Sequence, residues 1–197
     1  FATLRGYGPR TFGKREHIER LFEAMDAYGI ACPLSREALN ELVKEALTRA
    51  GFPSSAVRIT VSRGEGDGGF AISGNETPLL SIVVREIPAV STNPLRAVVS
   101  ELRAVPSSCL SPKHKVGSYM SHVFARAEAT RRGAEEAILL SATSDAVVSG
   151  AASNIFAITQ DRIVTPSEED GARAGVLRHA VLRLAEDAGI RTEVRTL

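Results

Sequence analysis

The chain has 197 residues, of which 44% are hydrophobic and 24% charged, with a formal net charge of +1. This composition supplies enough apolar side chains for one or two cores and excludes a disordered chain, while the near-neutral charge and scattered basic residues exclude a phosphodiester-binding surface. No apolar run approaches the roughly 20 residues that span a bilayer and no cleavable leader is visible, so a cytoplasmic protein with no membrane and no nucleic-acid partner is expected.

In chain order, Phe1-Ala2-Thr3-Leu4-Arg5 reads as a strand. Apolar residues at helical spacing follow at Ile18, Leu21, Phe22 and Met25, and again at Ala38, Leu39, Leu42, Val43, Ala46 and Leu47, where Ser35 caps the start and Gly51 the end. Strands are expected at 57–61 and 79–84, joined through Gly64-Glu65-Gly66-Asp67-Gly68-Gly69. That glycine cluster lacks a Gly-Lys-Ser/Thr ending and opens no helix, so it reads as a hairpin connection and not a phosphate loop. Residues 87–94, with Pro88 and Pro94, break all periodicity and link a small α+β domain (1–86) to a larger, strand-rich one (95–197), with a cleft expected between them. In the second domain, strands are expected at 96–100, 137–140, 146–148, 155–158 and 162–165. Helices are expected from just after Lys115 to Gly133 and over 176–188, the second ended by Gly189.

Cys32 and Cys109 are far apart and show no C-x-x-C spacing, so they read as two thiols in a reducing compartment. His17, His114, His122 and His179 fall singly, and no metal site is expected.

Lys115 carries the main chemical suggestion. A lysine one step before a helix, with Tyr119 four residues on, can form a Schiff base with an aldehyde cofactor. From Lys115 to Arg178 the chain resembles the class IV, fold-type IV family of pyridoxal-phosphate enzymes, which includes branched-chain and D-amino acid aminotransferases and aminodeoxychorismate lyases. The resemblance is carried by the Lys115/Tyr119 pair, Gly150-Ala151-Ala152-Ser153-Asn154-Ile155-Phe156, Thr165-Pro166 and Gly175-Val176-Leu177-Arg178. Upstream, Phe1-Ala2-Thr3-Leu4-Arg5 and His17-Ile18-Glu19-Arg20-Leu21 look like the family's opening strand and first helix. Against the family pattern, strands before Phe1 and a strand-and-helix segment after Leu197 are absent, so the chain reads as a two-domain α+β fold truncated at both ends.

The resemblance implies pyridoxal phosphate as cofactor, an amino acid and a 2-oxo acid as substrates, and a homodimer. Lys115 is implied as the Schiff-base lysine and proton shuttle. Tyr119 is either a donor to the cofactor's phenolic oxygen or a core residue. The phosphate anchor reads as Arg20 with the helix start at Val176 and Leu177, the alternative for Arg20 being an ion pair with Glu16 or Glu23. Leu177 stands where relatives commonly carry threonine, and Ser149 where they place a glutamate on the pyridine nitrogen. Serine can hydrogen-bond that nitrogen but cannot offset a positive charge. A slow or altered reaction, compensation by Asp145, or a degenerate site all follow from that. Arg58 and Arg63 are candidates for the substrate carboxylate, and their five-residue spacing on a strand lets only one face the site. Ser153 and Asn154 shape the loop beside the cofactor ring or simply form its turn. Aminotransfer is the leading expectation. Lyase chemistry on aminodeoxychorismate is the rival on the same fold, and a non-catalytic cofactor-binding protein is the rival from another class.

Overall fold

The computed structural model describes residues 1–66, 71, 72, 74, 76–88 and 92–197. Residues 67–69 of the glycine cluster and 89–91 of the expected linker lie outside the described residues. The chain divides into two compact units, Phe1–Ser91 with His114–Val116, and Thr92–Lys113 with Gly117–Leu197. The short segment around Lys115, expected in the second domain, therefore packs as part of the first unit.

The first unit is an antiparallel sheet in the order β2-β1-β3-β4 with two helices. Its elements are β1 (Ala2–Tyr7), β2 (Arg10–Thr11), α1 (Lys14–Ala27), α2 (Arg36–Ala50), β3 (Ser54–Glu65) and β4 (Thr77–Glu86). Both helices follow their apolar stripes: Ile18, Leu21, Phe22 and Met25 of α1 and Leu39, Val43 and Leu47 of α2 are buried with Ala2, Leu4, Val57 and Ile59 of the sheet. Ser35 Oγ accepts from the Ala38 amide at 3.2 Å, and Gly51 ends α2 at φ 67°, a left-handed position suited to glycine. Because side chains alternate along β1, burying Ala2 and Leu4 turns Phe1, Thr3 and Arg5 to the other face. On that face Thr3 is paired with Arg58 of β3. β3 and β4 pair antiparallel, as the hairpin reading expects, with an irregularity between Ser62 and Glu65.

The second unit contains β5 (Ala97–Arg103), α3 (Met120–Arg131), β6 (Glu136–Leu140), β7 (Val147–Gly150), β8 (Ala157–Ile158), β9 (Arg162–Thr165), α4 (Val176–Asp187) and β10 (Arg191–Val194). One sheet runs β5-β6-β7 and the other β10-β9-β8. α3 lies on the first sheet through Ala125 and Ala129, whose small side chains let its backbone approach Ala137, Leu139 and Ala151 closely. β7 pairs antiparallel with β6, and Ser149 stands opposite Leu139. Paired residues share a face, so Ser149 lies on the side of the sheet that buries Leu139 beneath α3. Among the described residues no helix is long and apolar enough to cross a membrane.

Candidate active site

In the first unit the cations converge on one aromatic ring. The Phe1 backbone nitrogen donates to the Lys115 carbonyl at 2.8 Å, tying the Lys115 segment to the start of β1. The Lys115 Nζ lies 4.6 Å from the Phe1 ring centre and the Arg58 guanidinium carbon 3.8 Å from it. Both are within the range at which a ring quadrupole attracts a cation. Lys115 is half-buried, whereas Lys113 is exposed. His17 on α1 senses the same charge: burial first, then Arg20 and, more weakly, Lys115 hold its pKa below the ordinary 6.5, with Glu16 opposing. Arg20, Lys115 and Arg58 thus give this unit a positive cluster suited to an anionic ligand, with His17 beside Arg20 and Lys115 held toward its neutral form.

Arg63 is placed differently. Its guanidinium donates to the Tyr28 carbonyl at 2.6 Å and to the Gly29 carbonyl at 2.9 Å, satisfying backbone acceptors where α1 ends. The Tyr28 ring in turn meets the His114 ring edge-on at 5.4 Å. Arg63 therefore buttresses the residue that precedes Lys115, and Arg58 is the arginine beside Lys115.

Lys115 does not stand one step before a helix. α3 begins at Met120, and Gly117 and Ser118, both poor helix formers, keep the intervening backbone irregular. The four-residue spacing to Tyr119 is thus not a helical i,i+4 pairing.

In the second unit a chain of contacts joins four elements. The His122 Nδ1 lies 2.9 Å from the Ala151 carbonyl, which can only accept, so Nδ1 carries the proton. The Tyr119 ring stacks on His122 with centroids 4.6 Å apart, and the Arg173 guanidinium carbon lies 5.9 Å from the Tyr119 ring centre. The Asn154 Nδ2 donates to the Arg173 carbonyl at 3.0 Å, and a Cβ on Gly175 would come within 2.5 Å of Asn154 Oδ1. Val176 and Leu177 then open α4 with no side-chain cap, which leaves their amides at the positive end of the helix. Ser153 donates to Glu136 Oε2 at 3.1 Å, and its carbonyl accepts from the Gly150 amide at 2.9 Å. Ser153 is accordingly a turn former here, whereas Asn154 fixes the approach to α4.

Sequence reasoning does not pick out His122 or Arg173. A lone histidine and a lone arginine carry no spacing signal, and their roles depend on Tyr119, which is distant from Arg173 along the chain. Asp145, the candidate substitute acid, is an exposed partner of Arg103 at 3.0 Å. Cys32 and Cys109 are free thiols. No group of three or more metal-ligating side chains occurs among the described residues.

The sequence profile of the family described as "Amino-transferase class IV" matches residues 1–197. A "Putative branched-chain-amino-acid aminotransferase" of Methanocaldococcus jannaschii is 30% identical over 191 residues, covering 96% of this chain and 66% of the relative. Among solved structures, the branched-chain aminotransferase of Thermoproteus uzoniensis with norvaline is 27% identical, with a TM-score of 0.92 over 100% of this chain and 68% of that one. The T.th. branched-chain amino acid aminotransferase with pyridoxamine 5'-phosphate is 25% identical, with a TM-score of 0.91 over 99% of this chain and 67% of that one. The chain spans about two thirds of the length of these proteins.

Proposed function

The chain belongs to the class IV amino-transferase family, and from that membership we propose that it acts as a pyridoxal-phosphate-dependent enzyme moving an amino group between an amino acid and a 2-oxo acid. The observation that carries this reading is the half-buried Lys115 amine held at the Phe1 ring, which the Arg58 guanidinium also meets, with Arg20 adding a third positive charge near His17.

These residues fit an anionic aldehyde cofactor. The cluster has the charge that a phosphate and a carboxylate require, and a buried nitrogen of Arg173 lacks a hydrogen-bond partner among the described residues. Arg20 would hold the phosphate. When bound, pyridoxal phosphate supplies the electron sink for charge developing on the substrate α-carbon.

The chain's own groups do the rest. The Lys115 Nζ accepts and returns the proton that leaves the α-carbon. Arg58 orients the substrate through its carboxylate, a planar fork matching two oxygens, and the Phe1 ring fixes both side chains. Tyr119, stacked on His122, offers its hydroxyl as a donor from a ring that cannot swing freely. Ser149 has a hydroxyl in place of a carboxylate and would offer the pyridine nitrogen a hydrogen bond without a compensating charge.

The experiment is a spectrum of the protein with added pyridoxal phosphate, beside Lys115→Ala, followed by borohydride and peptide mapping. A borohydride-trapped adduct on Lys115, absent from the variant, together with conversion of a 2-oxo acid to its amino acid, establishes the reading. Pyruvate released from aminodeoxychorismate without an acceptor would make the enzyme a lyase, and no adduct in either protein would remove cofactor chemistry altogether.

A further inference from the structure

The two arginines flanking the start of α4 have different surroundings. Arg178, only 3% exposed, is largely accounted for within the fold: it donates to the Pro166 carbonyl at 2.9 Å and pairs with Glu168 at 3.4 Å, which leaves only its Nε without a partner among the described residues. Arg173, five residues earlier, has neither kind of partner. Its Nη1 nitrogen is buried, and among the described residues it has no hydrogen bond and the guanidinium no ion pair. Two of the three acidic residues before it are engaged elsewhere, Glu168 with Arg178 and Asp170 with the Thr196 hydroxyl at 2.9 Å, and the third, Glu169, forms no ion pair with it. The Tyr119 ring at 5.9 Å is its aromatic neighbour, and a ring face attracts a cation far more weakly than a carboxylate does.

An unpaired buried guanidinium nitrogen is costly, and a guanidinium with no hydrogen bond or ion pair at all among the described residues, as at Arg173, is open to a partner from outside the chain. The backbone at Arg173 is held in place for such a task. Its carbonyl accepts from both Asn154 Nδ2 at 3.0 Å and the Gly175 amide at 2.8 Å, so the side chain leaves from a fixed point two residues before the α4 N-terminus. The helix start itself sharpens the need, because Leu177 offers no hydroxyl there.

We propose that Arg173 is an anion-binding residue, its guanidinium braced by Tyr119 to take an anionic oxygen of the ligand that this unit binds. The oxygen belongs either to the cofactor's phosphate or to the substrate's carboxylate. The proposal rests on the cofactor-dependent reading above, but its test does not require turnover.

The test uses the cofactor-free protein, Arg173→Gln and Arg173→Lys, with inorganic phosphate, 4-methylpentanoate and the neutral 4-methylpentanamide as probes. Binding is read by calorimetry and by the ligand-induced rise in melting temperature. Arg173→Gln should weaken one anion about tenfold while the amide is unchanged, and Arg173→Lys should recover part of that loss. A loss confined to phosphate identifies the cofactor's anchor, and one confined to the carboxylate identifies the substrate's. Without ligand, Arg173→Gln should melt at or above the wild-type temperature, because it removes an unsatisfied buried donor. Wild-type binding of both anions, or a ligand-free protein melting several degrees lower, would make Arg173 a structural residue and overturn the proposal; should Gln prevent folding, Arg173→Met serves as the second neutral variant. Absence of a Lys115 adduct with pyridoxal phosphate would sink the aminotransferase reading and leave this anion measurement standing.

Discussion

The Arg58 guanidinium carbon lies 3.8 Å from the centre of the Phe1 ring. Arg58 follows from the β1/β3 register, which pairs it with Thr3 on the face opposite the core, where alternation also places Phe1. The arginine proposed to orient the substrate is thereby held by an aromatic ring, which leaves its hydrogen-bonding edge for a carboxylate.

Arg58→Gln should raise KM for the amino acid about tenfold or more with little change in cofactor affinity, the expected effect of losing a charge-assisted hydrogen bond. Arg63→Gln should leave KM near wild type and lower stability by about 1–3 kcal/mol, because the Tyr28 and Gly29 carbonyls lose their donor. Steady-state kinetics and urea unfolding on both variants separate the two roles, and equal KM effects would contradict them.

Phe1→Leu keeps most of the apolar volume and removes the ring. With a cation–π contact worth about 1 kcal/mol, kcat/KM should fall about fivefold, and Phe1→Tyr should retain most of the activity.

His17 makes stability depend on pH in a defined direction. Its folded-state pKa is lowered, chiefly by burial and then by Arg20 and Lys115, from an ordinary value of 6.5. In the interval below 6.5 the unfolded chain binds the proton more readily than the native one, so stability rises with pH there. This contribution is complete above 6.5 and is lost as pH drops through 6.5 toward the lowered value. Melting temperatures from about pH 7.5 to about pH 5 should decline less steeply for His17→Gln than for wild type.

Ser149→Glu places a carboxylate on the face of β7 shared with Leu139. If the serine limits the electron sink, this substitution should raise kcat about tenfold or more and alter the absorption of the bound cofactor. A rate unchanged in both kcat and spectrum would mean that position 149 does not address the pyridine nitrogen.

Leu177 is 63% exposed at the start of α4, so Leu177→Thr costs little packing and adds a hydroxyl. Pyridoxal phosphate should bind about three- to tenfold tighter, by about 0.5–1.5 kcal/mol, while pyridoxal without phosphate is unaffected.

Much of the first unit is legible in the sequence because local signals agree with one another. Ile18, Leu21, Phe22 and Met25 repeat at helical spacing, and Ser35 and Gly51 bound α2 by capping chemistry that needs no tertiary partner. The start of α3 is not legible, because Lys115 and Tyr119 suggest a helical pair whereas Gly117 and Ser118 hold the backbone out of a helix. The two arginines of β3 are told apart only by the C-terminal carbonyls of α1, which occupy Arg63. Arg173 is invisible for a related reason: what sets it apart is a partner it lacks among the described residues, which no pattern of neighbours in sequence encodes.

Gly175 carries a lesson for anyone seeking to stabilise this protein. It caps α4 without a side-chain bond and sits at φ −68°, so a substitution to serine or aspartate looks like a gain of about 1 kcal/mol by ordinary capping rules. Asn154 Oδ1 stands where the new Cβ would go, at 2.5 Å. Relieving that overlap means displacing the amide that holds the Arg173 carbonyl. A stabilised variant built at this position would therefore trade the geometry of the proposed anion site for the strength of one helix.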